Sequence, residues 1–314
     1  MPRVPPLLPA NRYTAPDARP VAGVLFLLAS MWCLCMLDAS GKWVMQIGVP
    51  LLVLCFARYL VHFFLVLGIV LSRRDNTLFV SKFPRLQCLR GLVMLGATIT
   101  LFTALSYLPQ AEATAIAFMA PLIMLAVAPF VLKEPARRSR WVAAACGFVG
   151  VLIVVRPQAD LPLTGVLCGL LTALLFAAQH LITRLVARDD AMTTLLWSGA
   201  VGTLGFGVMM PFVIPVAWPV MQQIGTFEWC VMLSTGLSGG LGQLLQISAY
   251  RRAPASTLAP FIYLQIVVAS IVGWLIWGVF PDRVTWLGIG IIAMSGVTGS
   301  LFEWRMSRRN RELR

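Results

Sequence analysis

The chain is built from a succession of apolar stretches, most of them about twenty residues long, and its first half resembles its second. Polar and aromatic residues recur at matching places in the two halves, at a nearly constant offset. The corresponding pairs are Gly23 and Gly165, Asp38 and His180, Lys42 and Arg184, Tyr107 and Tyr250, Thr114 and Thr257, and Phe118 and Phe261. Composition alone rarely repeats polar residues inside apolar helices, so the pattern predicts a duplicated set of membrane-spanning helices.

Ten segments are long and apolar enough to be placed as membrane spans, since a helix needs about 20 residues to cross the bilayer core. They are 21–41, 49–71, 91–108, 112–132, 141–156, 163–183, 193–213, 228–249, 255–277 and 284–302. Only 12% of the residues are charged, whereas a soluble chain carries about 25%, so the apolar surface must face lipid. The expected class is an all-α polytopic membrane protein embedded in a lipid bilayer.

The distribution of basic residues predicts the orientation of these spans. Most of the 25 Lys and Arg residues lie on the side of the membrane that holds both termini, whereas Lys42, Arg156 and Arg283 lie on the other. Cytoplasmic segments are the ones enriched in Lys and Arg. We therefore expect a multi-pass protein of the cytoplasmic (inner) membrane with both termini in the cytoplasm. The net charge of +13 indicates orientation rather than nucleic-acid binding.

Five spans in each half is an odd number, so the second half must enter the membrane from the opposite side. The sequence thus predicts ten transmembrane helices arranged as two inverted five-helix repeats. Residues 1–20 form a cytoplasmic tail, 21–157 the first repeat, 163–302 the second repeat and 303–314 a basic cytoplasmic tail. Inverted repeats can exchange conformations, which favours alternating access to a central site.

A recurring order of residues in the two halves is similar to a known family. The first copy reads Tyr107-Leu108-Pro109, Ala111-Glu112-Ala113, Phe118, Pro121, Glu134-Pro135 and Trp141, and the second reads Tyr250, Ala253-Pro254-Ala255, Pro260 and Trp286. The pattern resembles the EamA-type repeat of the drug/metabolite transporter superfamily, except that Val279 stands where the first copy has Glu134. The resemblance implies secondary transport of a small organic metabolite, such as an amino-acid-, vitamin- or nucleotide-related compound or a drug.

Arg58 and His62 are the leading candidates for substrate binding. They lie one turn apart near the middle of span two, where an arginine is costly unless it serves a purpose. The planar guanidinium group of Arg58 can donate parallel hydrogen bonds to an anionic or strongly polar group of a substrate. A structural link from Arg58 to Asp38, to a carbonyl or to another helix is the open alternative. Further candidate substrate contacts are Trp32, Tyr263 and Gln265.

Asp38, His180 and Glu112 are the candidates for coupling transport to an ion gradient, because ionisable groups inside the membrane are usually functional. Proton coupling through Asp38 and its repeat counterpart His180 is our hypothesis. Two structural alternatives stay open for this group. Lys42 lies one turn from Asp38 and could neutralise it or extend to the outer headgroups. Glu112 opens span four, where the helix dipole favours an acid.

A polytopic intramembrane hydrolase is the main alternative function. Ser238 lies in a Gly-Leu-Ser-Gly segment similar to that of intramembrane serine proteases, and His180 or His62 would have to act as its base. Glycine-rich helices match so short a motif by chance, and the glycines also suit close helix packing. A non-transporting membrane scaffold is a third alternative.

The sequence also limits cofactors and partners. Seven cysteines are scattered without a CxxC pair, and no Walker-type phosphate motif occurs. We therefore expect no metal site, no cofactor and no ATP-driven pumping by this chain. A small molecule is the expected partner and nucleic acid is not, whereas both a monomer and a homodimer fit the sequence.

Overall fold

A computed structural model describes residues 20–131, 138–155, 161–253, 258 and 261–312. Within these residues the regular structure is helical and contains no strand. The helices are α1 (Pro20–Gln46), α2 (Leu51–Ser72), α3 (Pro84–Tyr107), α4 (Gln110–Ala117), α5 (Ala120–Val131), α6 (Arg138–Val155), α7 (Leu163–Leu185), α8 (Ala191–Met221), α9 (Thr226–Arg252), α10 (Leu264–Trp277) and α11 (Arg283–Glu312). A short 3-10 helix, Asn76–Phe79, lies between α2 and α3.

Five helices, α1, α2, α3, α7 and α8, are long and apolar enough to cross a membrane. Shorter apolar helices lie at Gln110–Met124, Ala145–Val154, Leu264–Trp277 and Arg283–Ser295. The all-α class expected from the sequence is confirmed for the described residues. Most of the predicted N-terminal tail, together with Glu134, Arg156 and Pro260, lies outside them.

Prolines set the beginnings of several helices. Pro50, Pro109 and Pro162 occupy the cap positions of α2, α4 and α7, and Pro84 begins α3. A proline has no backbone N–H, so it fits the first turn of a helix and interrupts its interior. The predicted fourth span is accordingly divided into α4 and α5, with Pro121 in the first turn of α5.

The helices of one half pack against those of the other half. Helix α1 packs against α9, and the corresponding pair is α3 with α7. Helix α2 also packs against α9, and the corresponding pair is α3 with α8. Helix α1 packs against α10, as α4 and α5 pack against α7. The pairs α2 with α8 and α6 with α11 complete the arrangement. Exchanging the two halves therefore turns the first contacts into one another and leaves the α2–α8 and α6–α11 pairs unchanged.

Glycines allow several of these helices to approach closely. A Cβ atom on Gly23 would lie 2.5 Å from the Cβ of Ala253, and one on Gly165 would lie 2.8 Å from Leu108. These two glycines are repeat counterparts, and both lie where α1 or α7 begins. The glycine stripes of α8 and α9 also meet neighbouring helices, with Gly205 against Leu95. The packing role expected for the glycines around Ser238 is confirmed, since a Cβ on Gly236 would lie 2.5 Å from the Cβ of Val61 on α2.

Candidate functional site

A polar cavity lies between the middle sections of α2, α3 and α9, and the empty space in it, its open mouth included, is about 230 Å³. Its lining consists of Arg58, Tyr59 and His62 from α2, Met94 from α3, and Gly236, Gly239 and Gln243 from α9. The α9 glycines have no side chains to fill this space, and a Cβ on Gly239 would lie 3.8 Å from Nε of Arg58. Close helix packing and an open polar cavity therefore depend on the same glycine stripe.

Arg58 is held by aromatic rings and not by acceptor atoms. Its guanidinium carbon lies 5.5 Å from the ring centroid of Tyr59 and 5.6 Å from that of Phe102, within the range of cation–π attraction. Among the described residues its side chain makes neither a hydrogen bond nor an ion pair. The structural alternative of a direct bond from Arg58 to Asp38 or to a carbonyl is therefore not found.

His62 is buried where α2 meets α8 and α9. A Cβ on Gly199 would lie 3.1 Å from its Cδ2, and a Cβ on Gly240 would lie 3.4 Å from its Nδ1. Its Nε2 has no hydrogen-bond partner among the described residues. The ring is thus fixed by packing on two sides while Nε2 keeps its hydrogen-bonding capacity.

Tyr59 forms a rigid part of the cavity wall. Its hydroxyl lies 2.9 Å from Oγ1 of Thr98 on α3, and its ring centroid lies 5.4 Å from that of Phe206 on α8. The ring also packs against Gly202. Three helices therefore position the aromatic surface on which Arg58 rests.

Asp38 lies on α1, is 8% exposed and is not part of the cavity lining. The charge of Arg58 acts on its carboxylate, but the two groups do not form an ion pair. Within the part of the chain that the structure describes, the Asp38 side chain makes no hydrogen bond. Asp38 and Arg58 therefore lie on the successive helices α1 and α2 without forming an ion pair among the described residues.

Lys42 differs from both structural alternatives predicted for it. It is 8% exposed, its Nζ donates a hydrogen bond to the carbonyl oxygen of Leu108 at 2.6 Å, and it lies 5.0 Å from the ring of Trp277. It therefore neither pairs with Asp38 nor extends to the headgroups. The physical reason is that carbonyls at the end of α3 lack an intrahelical donor, which Lys42 supplies.

Glu112 lies in a second polar cluster, near the C-terminal end of α1. It is buried within reach of the charges of Lys42 and Asp282, and its Oε2 has no hydrogen-bond partner in the described region. The neighbouring Gln110 donates to the carbonyl of Cys35 at 2.9 Å. Glu112 is not part of the cavity lining, so the fold separates it from Arg58 and His62.

The other predicted site residues also lie away from the cavity. His180 is exposed, and its Nδ1 lies 2.5 Å from the carbonyl of Phe176. Trp32 is 43% exposed on α1, and the ring of Tyr263 packs 5.7 Å from that of Phe118. Gln265 forms a hydrogen bond through its backbone, because its carbonyl oxygen accepts from the thiol of Cys35 at 3.6 Å. Their roles stay predictions.

Arg90 is a buried polar residue that the apolar pattern of the sequence does not identify, because the predicted third span begins after it. Helix α3 begins at Pro84, earlier than predicted, so Arg90 is buried within it. Its Nε donates to Oγ1 of Thr183 at 2.8 Å, and another guanidinium nitrogen donates to Ser198. Pro84 is the residue from which this earlier start of the helix could have been predicted, since proline favours the first turn of a helix. Arg90 lies one turn before Met94 of the cavity wall.

A hydrogen-bonded contact joins the α2–α3 and α7–α8 loops. Asp189 accepts hydrogen bonds from the backbone N–H of Lys82 at 2.9 Å, from the side chain of Gln87 at 2.9 Å and from the hydroxyl of Ser81. Partial burial raises the pKa of Asp189, but these hydrogen bonds outweigh it and hold the pKa below its usual value. We call this contact the loop latch.

Long apolar helices around a central polar cavity fit a membrane transporter, and the comparison with known proteins gives the family. The EamA-like transporter family matches residues 21–156 and 163–300. The chain therefore belongs to the EamA-like transporter family of the drug/metabolite transporter superfamily, as the sequence pattern predicted. It is a membrane transporter and not an enzyme.

Individual relatives support this assignment. An S-adenosylmethionine uptake transporter of Rickettsia bellii is 31% identical over 237 residues, which cover 76% of this chain and 79% of the relative. A riboflavin transporter of Vibrio cholerae is 24% identical over 302 residues, which cover 94% and 98%. One solved crystal structure has the same fold. The superposition covers 91% of this chain and 98% of the other chain, with a TM-score of 0.63 and 18% sequence identity.

Proposed function

We propose that the chain is a secondary transporter that moves a small organic metabolite across the cytoplasmic membrane by alternating access. The observation that carries this proposal is the side chain of Arg58, which lines a polar cavity near the middle of α2 without an acceptor among the described residues. A charged arginine at this depth is unfavourable by about 2.5–3.5 kcal/mol on insertion scales. A polar substrate group that binds there would offset part of this cost.

The packing of the helices supports a ten-span arrangement of two inverted repeats. Contacts such as α1 with α9 and α3 with α7 exchange when the halves are exchanged, as expected for a pseudo-two-fold relation. The cavity lies close to the region where the halves meet. Basic residues favour cytoplasmic termini, with one repeat at 21–157 and the other at 163–302.

The size of the cavity indicates that the protein must change conformation to accept a substrate. Ligand sites usually enclose about 300–1,000 Å³, whereas the comparable volume of this cavity is about 10 Å³, roughly enough for one water molecule. A metabolite of nucleoside size therefore needs at least one set of helices to move outward. The loop latch closes the α2–α3 and α7–α8 side, so its opening is a natural step of the transport cycle.

The substrates named for two relatives share a general chemistry. S-adenosylmethionine and riboflavin both combine a flat nitrogen heterocycle with a flexible polar chain. We infer that this chain carries a compound of that size and polarity. The aromatic wall at Tyr59 and the amide of Gln243 suit such a molecule, because aromatic faces stack on flat rings and amides both donate and accept hydrogen bonds.

The proposed coupling residues differ in their relation to the cavity. Asp38 is the best placed, because the charge of Arg58 acts on it, so substrate at Arg58 and a proton on Asp38 would affect each other. Glu112 lies in the separate cluster around Lys42. His180 lies within reach of the charges of Arg90 and Arg184. We therefore propose Asp38 as the proton-coupling residue.

Counterflow in proteoliposomes tests the transport function. Vesicles loaded with unlabelled S-adenosylmethionine or riboflavin should accumulate the labelled compound, and Arg58→Lys should reduce the initial rate at least about tenfold, as expected for loss of a hydrogen-bonded charge contact. Arg73→Lys is the matched control, since Arg73 is exposed at the end of α2. Equal rates for the wild type, Arg58→Lys and empty vesicles would contradict the proposal.

The hydrolase alternative is not supported. Ser238 makes no side-chain hydrogen bond to His62 or His180 within the described residues, and a serine nucleophile needs a base within hydrogen-bond reach. The neighbouring glycines are used for packing: a Cβ on Gly236 would lie 2.6 Å from the carbonyl oxygen of Arg58. A Ser238→Ala variant that retains full counterflow is the expected result.

A further inference from the structure

We propose that one face of α3 lines the passage by which the cavity opens toward the end of the helices that holds the loop latch, and that Arg90 is the gate residue that closes this passage. The inference rests on the proposed transport function and adds to it a residue that does not line the cavity. Gln87, Arg90 and Met94 follow one another at helical spacing in α3, so they share one face of the helix. This face leads from the latch, through Gln87, to the cavity wall at Met94.

This face of α3 meets α8 of the second half through polar side chains. Nε2 of Gln87 donates a hydrogen bond to Oγ1 of Thr194 at 3.1 Å, and a terminal guanidinium nitrogen of Arg90 donates to the hydroxyl of Ser198. Residues four apart share one face of a helix, so Thr194 and Ser198 lie one above the other on α8. Two successive hydrogen bonds therefore join the halves between the loop latch and the cavity.

Arg90 joins α3 to a second helix of the other half as well. Its Nε donates to Oγ1 of Thr183 on α7 at 2.8 Å. Thr183 and Ser198 each donate their own hydroxyl hydrogen to a carbonyl four residues earlier, so each accepts from Arg90 through a lone pair. One guanidinium group, on a residue that is 6% exposed, therefore holds α7 and α8 against α3 one turn before Met94.

The partners of Arg90 suit a contact that opens. A buried arginine normally has a carboxylate as its partner, because burying a charge is costly unless the charge is paired. Among the described residues Arg90 forms no ion pair, and Oε1 of Gln87 accepts no hydrogen bond. Hydrogen bonds to neutral hydroxyls can be exchanged for bonds to water at little cost. Charged side chains within spanning helices usually face a pathway for substrate or water, so water or a polar substrate group would replace these bonds when the passage opens.

A permanent link between the halves is the alternative role for Arg90. Such a link would belong to the folded core in every conformation, so its loss would loosen the spanning helices alike. A gate confines the effect to the face of α3 that it covers. The labelling of two buried positions, one on that face and one far from it, separates the two roles.

Thiol labelling of purified protein in lipid nanodiscs provides the test, since both ends of the helices are then reachable. Met94→Cys, in a background without other cysteines, reports on the passage, because Met94 is buried at its inner end. The combination of Thr183→Val and Ser198→Ala removes both acceptors without shortening Arg90. We expect it to raise the rate of labelling at position 94 at least about tenfold, as for loss of hydrogen bonds to a charged group.

Two controls match this experiment. Thr235→Val with Ser270→Ala removes two buried hydroxyls of the same kind, which donate only to carbonyls of their own helices among the described residues, and should leave the rate at position 94 unchanged. Ile292→Cys reports on α11, where Ile292 is fully buried, and should be labelled no faster when the acceptors of Arg90 are removed. An unchanged rate at position 94, or an equal increase at both reporters, would overturn the inference.

A reversible cross-link separates failure of this inference from failure of the transport proposal. Gln87→Cys with Thr194→Cys, joined by a short bis-methanethiosulfonate reagent, ties α3 to α8 on the proposed passage. The link should abolish counterflow of labelled S-adenosylmethionine or riboflavin, and a reductant should restore it. Full counterflow in the cross-linked protein would overturn the passage and leave transport standing. Absence of counterflow in the wild type as well would contradict transport of these compounds, whereas the labelling at position 94 would still decide whether Arg90 is a gate.

Discussion

Asp189, in the loop between α7 and α8, accepts a hydrogen bond of 2.9 Å from the backbone N–H of Lys82, in the loop between α2 and α3. The contact ties the first half of the chain to the second at one end of the helices. Gln87 strengthens it, because its amide donates both to Asp189 and to Oγ1 of Thr194. This end of the protein can open only if these hydrogen bonds are exchanged for water.

The first prediction is that Asp189→Asn loosens the loop latch. The substitution removes the negative charge that strengthens three hydrogen bonds, so the backbone amide of Lys82 should exchange its hydrogen about tenfold faster, as for a loss of roughly 1.4 kcal/mol in local stability. Asp75→Asn is the matched control, since among the described residues Asp75 accepts hydrogen bonds from Thr77 of its own loop and from no residue of the second half. Equal exchange in the wild type and Asp189→Asn would contradict the latch.

The second prediction concerns the pH dependence of the same contact. The pKa of Asp189 is lowered in the folded protein because its hydrogen bonds outweigh the effect of partial burial. Its contribution to stability is therefore present above the pKa of the unfolded chain, about 4, and is lost as the pH falls through the lowered folded value. The stability difference between wild type and Asp189→Asn, measured by thermal unfolding, should persist from about pH 7 to about pH 5. It should shrink only below about pH 4.

Particular residues show how far sequence reasoning reaches. The placement of Arg58 and His62 on one face of α2 follows from their spacing, since residues four apart in a helix share a face. The bond from Lys42 to Leu108 joins residues far apart in sequence, and no periodicity specifies it. Hydrophobic patterns define which segments become helices, whereas the partners of a buried polar group depend on how those helices are rotated and packed.

Arg90 and Glu112 illustrate the same limit at helix ends. The apolar run begins after Arg90 and so predicts a loop there, although Pro84 begins the helix. Glu112 follows the start of α4, where the helix dipole explains an acid, but no pattern in the chain indicates that it becomes buried. The end of an apolar run is therefore a poor guide to where a helix and its buried polar groups begin.

The third prediction is that Lys42 and Glu112 are energetically coupled. Lys42→Met leaves the Leu108 carbonyl and the buried Glu112 without their cation and should reduce the stability by about 2 kcal/mol or more. Adding Glu112→Gln should recover part of this loss, because the amide carries no charge. Thermal unfolding of the two single variants and the double variant measures the coupling. Additive effects would show that the two charges act independently.

The fourth prediction compares two glycines in α2 and α8. A Cβ added to Gly68 would have no atom within 4 Å, so Gly68→Ala should raise helix stability by up to about 1 kcal/mol. Gly202 packs directly against the ring of Tyr59, so Gly202→Ala should displace that ring and weaken its hydrogen bond to Thr98. Unfolding temperatures should therefore change in opposite directions. A rise for both variants would mean that Tyr59 can move without penalty.

The fifth prediction is the orientation of the loops. Gln223, between α8 and α9, and Asn76, between α2 and α3, are both exposed and lie on opposite sides in the ten-span arrangement. In a background without cysteines, a membrane-impermeant thiol reagent should label Gln223→Cys in intact cells and Asn76→Cys only after permeabilisation. The reason is the clustering of Lys and Arg on the side that includes Asn76. Labelling of both variants in intact cells would contradict the inverted repeats, because two loops on one side require an even number of spans between them.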